Sequence, residues 1–95
     1  MTILESAPDV NAILPFIDEQ VREIQQSGGE PQTVVLGPDA YERLRDAVAA
    51  RFGREQAHLA QYQWLTVVVD PFRSGGVCVL PTPKDVAEGV RAERV

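Results

Sequence analysis

The chain has 95 residues and a mass of 10.4 kDa, with 44% hydrophobic and 24% charged residues. These values predict one globular domain over residues 1–95. The single cysteine, Cys78, excludes an intramolecular disulfide and a cysteine-based zinc site. No apolar run approaches the ~18 residues of a membrane-spanning helix, and the net charge of −5 argues against nonspecific nucleic-acid binding. We therefore expect a cytoplasmic protein with no membrane or nucleic-acid partner.

Charge is distributed unevenly along the chain. Residues 1–42 hold eight acidic residues against one base, Arg22, whereas residues 43–95 hold six acidic and eight basic residues. The two halves can therefore attract each other. The simpler interpretation is that the first helix has an acidic solvent face and the second an arginine-rich one, and the alternative is a charge-steered partner site.

Apolar residues at helical spacing predict a first helix, and the stripe consists of Val10, Ile13, Leu14, Ile17, Val21 and Ile24. Ser6 and Asp9 have the spacing of an N-terminal cap, and Gly28-Gly29 ends the helix. Pro15 lies inside the pattern. It predicts either a kink at that point or a helix that begins near Asn11.

A short β-branched run over residues 33–36 follows and predicts a strand buried on both faces, which places it centrally in a sheet. Gly37-Pro38-Asp39 then begins a second helix, because proline is tolerated in the first turn and Asp39 is favourable there. Gly53 ends this helix. Its apolar stripe consists of Tyr41, Leu44, Ala47, Val48 and Phe52. The polar residues 54–61 are compatible with either a helical extension or a loop.

The run from Tyr62 to Val69 predicts a strong strand, which Asp70-Pro71 ends. Residues 77–80 predict a second strand that pairs with it as an antiparallel hairpin across residues 71–76. Residues 84–95 form a charged, flexible tail with at most one helical turn. The predicted fold is α+β in the order α-β-α-β-β, with two helices packed on a small mixed sheet of three strands.

This succession of elements resembles the A-domain of HK97-type major capsid proteins and of the related encapsulin shell proteins. The resemblance covers residues 10–80 and depends on the helix that ends at Gly28-Gly29, on Val34-Val35-Leu36-Gly37-Pro38, and on Tyr41 and Leu44. It continues through Leu65-Thr66-Val67-Val68-Val69-Asp70-Pro71 and Gly75-Gly76-Val77. The glycine that usually precedes the valine run in that family is replaced here by Trp64-Leu65.

The resemblance implies a free-standing relative of one capsid domain, of phage or encapsulin ancestry, that associates with a virion or nanocompartment. The family's shell proteins also have an N-terminal arm, a long spine helix and an extended loop, for which we expect no room in 95 residues. By position, residues 53–61 and 71–76 correspond to the tips that meet around a symmetry axis in such shells.

Residues capable of catalysis or metal binding are few and isolated. His58 is the only histidine and has no companion at a metal-ligand spacing. Cys78 lies among valines and is predicted to be a small buried hydrophobe. Ser74 lacks the pattern of a nucleophile elbow. Asp39 and Asp70 are explained by helix-start and turn roles. We therefore expect no enzyme activity, cofactor or metal.

The predicted partner-binding residues are Tyr62, Trp64, Phe72 and Arg73, which gather around the second strand and its turn. Alternation places Tyr62, Trp64, Thr66 and Val68 on one strand face, opposite an apolar face that already supplies the core. This surplus face predicts a noncatalytic structural or protein-interaction domain that self-associates into a homo-oligomer. The alternative is a small monomeric adaptor whose acidic first helix binds a basic partner.

Overall fold

The computed structural model describes residues 2–54 and 58–94. These residues form nine elements in the order β1 (Thr2–Ser6), α1 (Ile13–Gln26), β2 (Pro31–Leu36), α2 (Pro38–Phe52), β3 (Gln61–Tyr62), β4 (Leu65–Val69), β5 (Val77–Pro81), α3 (Pro83–Ala87) and β6 (Arg91–Arg94). The α+β class is confirmed. The expected order α-β-α-β-β lacked β1, β3, α3 and β6. Residues 54–61 were predicted to form either a helical extension or a loop, and residues 55–57 of this segment lie outside the described residues.

The sheet is mixed and has six strands in the order β3-β4-β2-β5-β1-β6, so the prediction of three strands is wrong. β2 runs parallel to β4 and antiparallel to β5. β1 runs antiparallel to β5 and parallel to β6, and β3 pairs antiparallel with β4. The prediction that residues 33–36 form a central strand is confirmed, because β2 has strands on both sides. The expected burial of both faces is wrong, because Val34 and Leu36 are fully buried on one face, whereas Thr33 and Val35 on the other are partly exposed.

The predicted hairpin between residues 62–69 and 77–80 is wrong, because β2 lies between the two strands. α2 connects β2 to β4 as a crossover, which makes this pair parallel. At the end of β2, the Asp70 amide donates to the Leu36 carbonyl, and the Gly37 amide donates to the Gly76 carbonyl. Residues 70–76 therefore pass over the end of β2 and connect its two neighbours.

The outer strands β1 and β6 have no sequence pattern that predicts them. All four side chains of β6 are exposed, so its residues lack the apolar alternation of a strand packed on a core. Backbone pairing with β1 holds β6 in the sheet. Of the residues predicted to form a charged tail, 84–87 belong to α3 and 91–94 form β6, and Val95 lies outside the described residues.

Helix α1 begins at Ile13 and runs without interruption to Gln26, with Pro15 in its first turn. The Asp9 carboxylate accepts hydrogen bonds from the amides of Asn11 and Ala12, both at 3.0 Å. Since proline in a first turn removes no intrahelical hydrogen bond, the helix needs no kink there. Of the two alternatives that Pro15 left open, the late start is therefore confirmed.

The two long helices pack on one face of the sheet. The predicted apolar stripes of α1 and α2 face the hydrophobic core, except that Val10 lies outside α1 and Phe52 is about half exposed. On the sheet, the core includes Val34, Leu36, Leu65, Val77 and Val79. The opposite face carries residues that are partly or largely exposed, namely Thr33, Val35, Thr66, Val68 and Leu80. This second face is referred to below as the uncovered face.

The carbonyl of Ser74 caps the N-terminus of α2. It accepts hydrogen bonds from the amides of Asp39 at 3.1 Å and Ala40 at 3.2 Å, which have no partner within the helix. This contact brings the backbone of Ser74 against Gly37, where a β-carbon would overlap the carbonyl oxygen of Ser74. Gly37 is therefore required for close approach rather than for its backbone angles, which are extended.

Substitution Gly37→Ala should lower the free energy of unfolding by about 1–3 kcal/mol, because the backbone of Ser74 must move away from α2. Urea unfolding followed by circular dichroism measures the change. The control is Gln32→Ala at an exposed position of β2, which should stay within about 0.5 kcal/mol of the parent chain. Equal stability of the two variants would contradict the close contact.

Candidate functional site

Residues 70–76 form a turn whose backbone is fixed by its own hydrogen bonds. The Asp70 carboxylate accepts from the Phe72 amide at 3.0 Å, and the Asp70 carbonyl accepts from the Arg73 amide at 3.2 Å. The Gly76 amide donates to the Arg73 carbonyl at 2.7 Å. The result is a rigid turn on which the side chain of Phe72 is 94% exposed. This segment is called the Phe72 turn below.

An ion cluster ties the Phe72 turn to the strands β1 and β6. The Arg73 guanidinium donates to Asp70 at 3.0 Å and to Glu5, and Arg94 donates to the second oxygen of Glu5 at 3.0 Å. The Glu5 side chain is only 17% exposed, whereas that of Arg94 is 88% exposed. Because exposed ion pairs are weak, the contact between Arg73 and Glu5 stabilises the cluster more than the contact between Arg94 and Glu5 does.

Cys78 lies on the uncovered face beneath this cluster and is buried, as predicted. Its sulfur is 3.7 Å from a guanidinium nitrogen of Arg73. Burial raises the pKa of the Cys78 thiol, and the positive charge of Arg73 opposes this increase only in part. The thiol is consequently held in its neutral form, which is the less nucleophilic one.

An open depression of about 480 Å³ adjoins the Phe72 turn, and its lining includes Glu5, Asp70, Phe72, Arg73 and Arg94. The two carboxylates and the two guanidinium groups are paired with each other. Such pairing is typical of a structural ion cluster, whereas an acid/base catalyst needs a carboxyl group free to exchange a proton with substrate. The predicted turn role of Asp70 is confirmed by its hydrogen bonds.

The prediction that Tyr62 and Trp64 share one strand face is wrong. Gln63, with a φ of 56°, lies in a turn that reverses the chain between β3 and β4. Tyr62 pairs with Leu65 and points into the core, where its side chain is 2% exposed, whereas Trp64 in the turn is 54% exposed. The Tyr62 hydroxyl donates to the Asp18 carboxylate at 3.0 Å. Tyr62 is thus not a surface residue.

The other predicted partner-binding residues lie at opposite ends of β4. Phe72 and Arg73 are together in the Phe72 turn, while Trp64 is in the hairpin turn before β4. Between them lie the five residues of β4, a length of about 17 Å. Val68 and Val69 in this strand are both 43% exposed. Because adjacent strand residues point to opposite faces, Val68 lies on the uncovered face with Val35, whereas Val69 lies on the helix-covered face with Leu36, and the exposed apolar side chains do not form one patch.

Two residues of the site, Glu5 and Arg94, were not predicted. Their hydrogen bond joins positions 89 residues apart in sequence. Glu5 lies opposite Arg94 because β1 and β6 pair in parallel. The expected attraction between the acidic and basic halves of the chain is observed here, and again where Arg51 lies 3.5 Å from Asp18.

The remaining candidates do not join the site. His58 is exposed and lies beside a separate shallow depression near β3. Asp39 lies in the first turn of α2, as predicted. Across residues 2–54 and 58–94, no group of three or more histidine, cysteine, aspartate or glutamate side chains is placed to hold a metal ion.

Comparisons with protein-family models, with curated proteins and with solved structures find no match for this chain. Among the residues that the structure describes, none of the helices has the length and apolar character to cross a membrane.

Tyr62 makes the stability of the fold depend on pH in the alkaline range. Burial and the hydrogen bond to Asp18 raise the pKa of Tyr62 to about 12, from an ordinary value of 10.0. Because folding favours the protonated form, the stabilisation should be complete below pH 10 and lost as pH rises through about 12.

Urea unfolding of the parent chain and of Tyr62→Phe at several pH values measures this effect. The parent should lose stability relative to Tyr62→Phe as pH rises through that window, because only the parent must deprotonate a buried hydroxyl. Parallel loss of stability in the two proteins would contradict the assignment.

Proposed function

We propose that this chain is a noncatalytic protein-interaction domain that self-associates into a homo-oligomer, with the Phe72 turn as the centre of its contact surface. The observation that carries the proposal is the 94% exposure of Phe72 on a turn fixed by hydrogen bonds. A flexible loop can fold an exposed aromatic ring back onto the protein, but this turn holds the ring in solvent.

Burial of the Phe72 side chain against a partner would contribute roughly 1.5–3 kcal/mol. The Phe72 turn is already ordered, so association loses little backbone entropy at this point. Aromatic and arginine side chains are also the residue types most often found at the energetic centres of interfaces. Phe72 and Arg73 adjoin each other here, next to a depression with a polar lining.

The uncovered face extends the proposed contact surface with apolar side chains. Val68 is 43% exposed, and Val35 and Leu80 are partly exposed on the neighbouring strands. Soluble monomers tend to keep contiguous apolar patches small. A second copy packed on this face would remove these side chains from water.

The resemblance to the capsid A-domain supports the same location. By position, residues 71–76 correspond to one of the tips that meet around a symmetry axis in such shells, and Phe72 and Arg73 lie within them. The proposal therefore includes a capsid-like or encapsulin-like ancestry and association with a virion or nanocompartment. What supports the noncatalytic part is the mutual pairing of the charged groups that line the depression.

A second candidate function is a monomeric adaptor that binds a basic partner through α1. The observation in its favour is that Glu19 and Glu23 are exposed on this helix. Binding through such a surface should weaken steeply as salt is added, because screening shortens the range of exposed charges. An apolar contact centred on Phe72 should be far less sensitive.

Substitution Phe72→Ser should reduce the mass-average oligomer, because it removes the exposed ring while leaving the backbone hydrogen bonds of the turn in place. Multi-angle light scattering over a range of protein and salt concentrations measures the mass. The matched control is Val86→Ser in α3, which is 46% exposed and lies outside the proposed surface.

The control should retain the oligomeric mass of the parent chain. Circular dichroism and urea unfolding verify that both variants fold. A folded Phe72→Ser variant with the same mass as the parent at every concentration would contradict the proposal. A parent chain that stays monomeric throughout would favour the adaptor instead.

A further inference from the structure

The strand β6 forms one edge of the sheet and has a second side that is available for pairing. It pairs with β1, and within residues 2–54 and 58–94 no strand lies on its other side. All four of its side chains are exposed. An edge of this kind offers unpaired backbone groups to another chain.

The hydrogen-bond alternation of the sheet determines which backbone groups of β6 face outward. Gly37 and Gly76 are hydrogen-bonded at the end of the β2–β5 ladder. Successive residues of a strand direct their backbone N–H and C=O groups to opposite sides, so those of Val77 point away from β2 and towards Ser6 of β1. The backbone N–H and C=O groups of Glu5, the residue before Ser6, consequently point towards β6.

The same alternation continues into β6. Ile3 and Glu5 of β1 bond to Arg91 and Glu93, the residues adjacent to their register partners. The N–H and C=O groups of Ala92 and Arg94 therefore point away from the sheet. These are the groups with which a further strand would pair.

Two side chains of opposite charge lie on one face of β6. Arg91 and Glu93 lie on the same face of the strand, with 3.6 Å between Nε and Oε1, and are 79% and 50% exposed. Ala92 lies between them and points to the opposite face. Charged side chains often protect an edge strand from pairing, but Arg91 and Glu93, which share one face of this strand, have opposite signs and lie on either side of the small residue Ala92.

We propose that β6 pairs antiparallel with β6 of a second copy of this chain, around a two-fold axis at Ala92. Ala92 of the two copies then forms the central hydrogen-bonded pair, since both direct their backbone groups outward. Arg91 of each copy lies opposite Glu93 of the other. These flanking positions are the non-hydrogen-bonded pairs, in which opposite side chains approach most closely.

Charge selects this register over its neighbours. The nearest symmetric alternatives that keep outward backbone groups opposite each other place the axis at Arg91 or at Glu93. The first brings two arginines together and the second brings two glutamates together, and like charges directly opposite each other are destabilising. Only the axis at Ala92 forms two complementary ion pairs.

This pairing joins the two six-stranded sheets edge to edge and uses a surface other than the Phe72 turn. A strand of four residues buries little area, so the dimer should be weak and dependent on protein concentration. Because its ion pairs are exposed, it should also weaken with salt. The Phe72 contact, by comparison, is apolar and should respond little to salt.

The test uses sedimentation velocity at increasing concentration and low salt, in a Phe72→Ser background so that contacts through that ring do not contribute. Arg91→Glu and Glu93→Arg each place like charges opposite each other twice. Each should lower the dimer association constant on the order of tenfold. The double variant with both substitutions rebuilds both pairs with reversed polarity and should restore dimerisation.

A second variant, Ala92→Pro, removes an outward N–H without disturbing the hydrogen bonds to β1 and should abolish the dimer. Urea unfolding verifies that all variants fold. The proposal is overturned if the background chain stays monomeric at every concentration, if the single reversals leave the association constant unchanged, or if the double variant dimerises no better than the single ones. These outcomes do not bear on the Phe72 contact, which is absent from this background.

Discussion

The carbonyl of Ser74 at the N-terminus of α2 is the contact on which the arrangement of the rest of the structure depends. It satisfies the amides of Asp39 and Ala40 and requires glycine at position 37. The contact holds residues 70–76 over the end of β2, so that β4 and β5 flank this central strand. The same contact positions Phe72 in solvent, and the proposed function follows from that position.

The fold could be predicted from sequence where local patterns are strong. β2 and α2 were located correctly because their apolar spacing, Gly37-Pro38 and Gly53 are all local features. The hairpin was misassigned because residues 70–76 have the composition of a hairpin turn. The central position expected for residues 33–36 was not applied to the pairing, since a central strand needs a neighbour on each side and β4 and β5 occupy these two positions.

The candidate site was predictable only in part. Phe72 and Arg73 were identified from a turn-rich segment with an aromatic residue, and both lie at the surface. Tyr62 was misplaced because nothing in the sequence marks Gln63 as a turn residue with positive φ, a conformation that favours glycine or asparagine. Glu5 and Arg94 meet through β1 and β6, whose sequences lack the apolar alternation that predicts a strand, so their pairing had no local pattern.

Amide hydrogen exchange of Asp39 and Ala40, measured by NMR, tests the central contact most directly. First-turn amides of a helix normally lack a partner and exchange rapidly. The Ser74 carbonyl accepts from both, so we expect exchange of these two amides to be slowed to rates comparable with those in the body of α2. Exchange at the rate of an unstructured chain would show that the turn is detached from the helix. The fixed position of Phe72 would then have no physical basis.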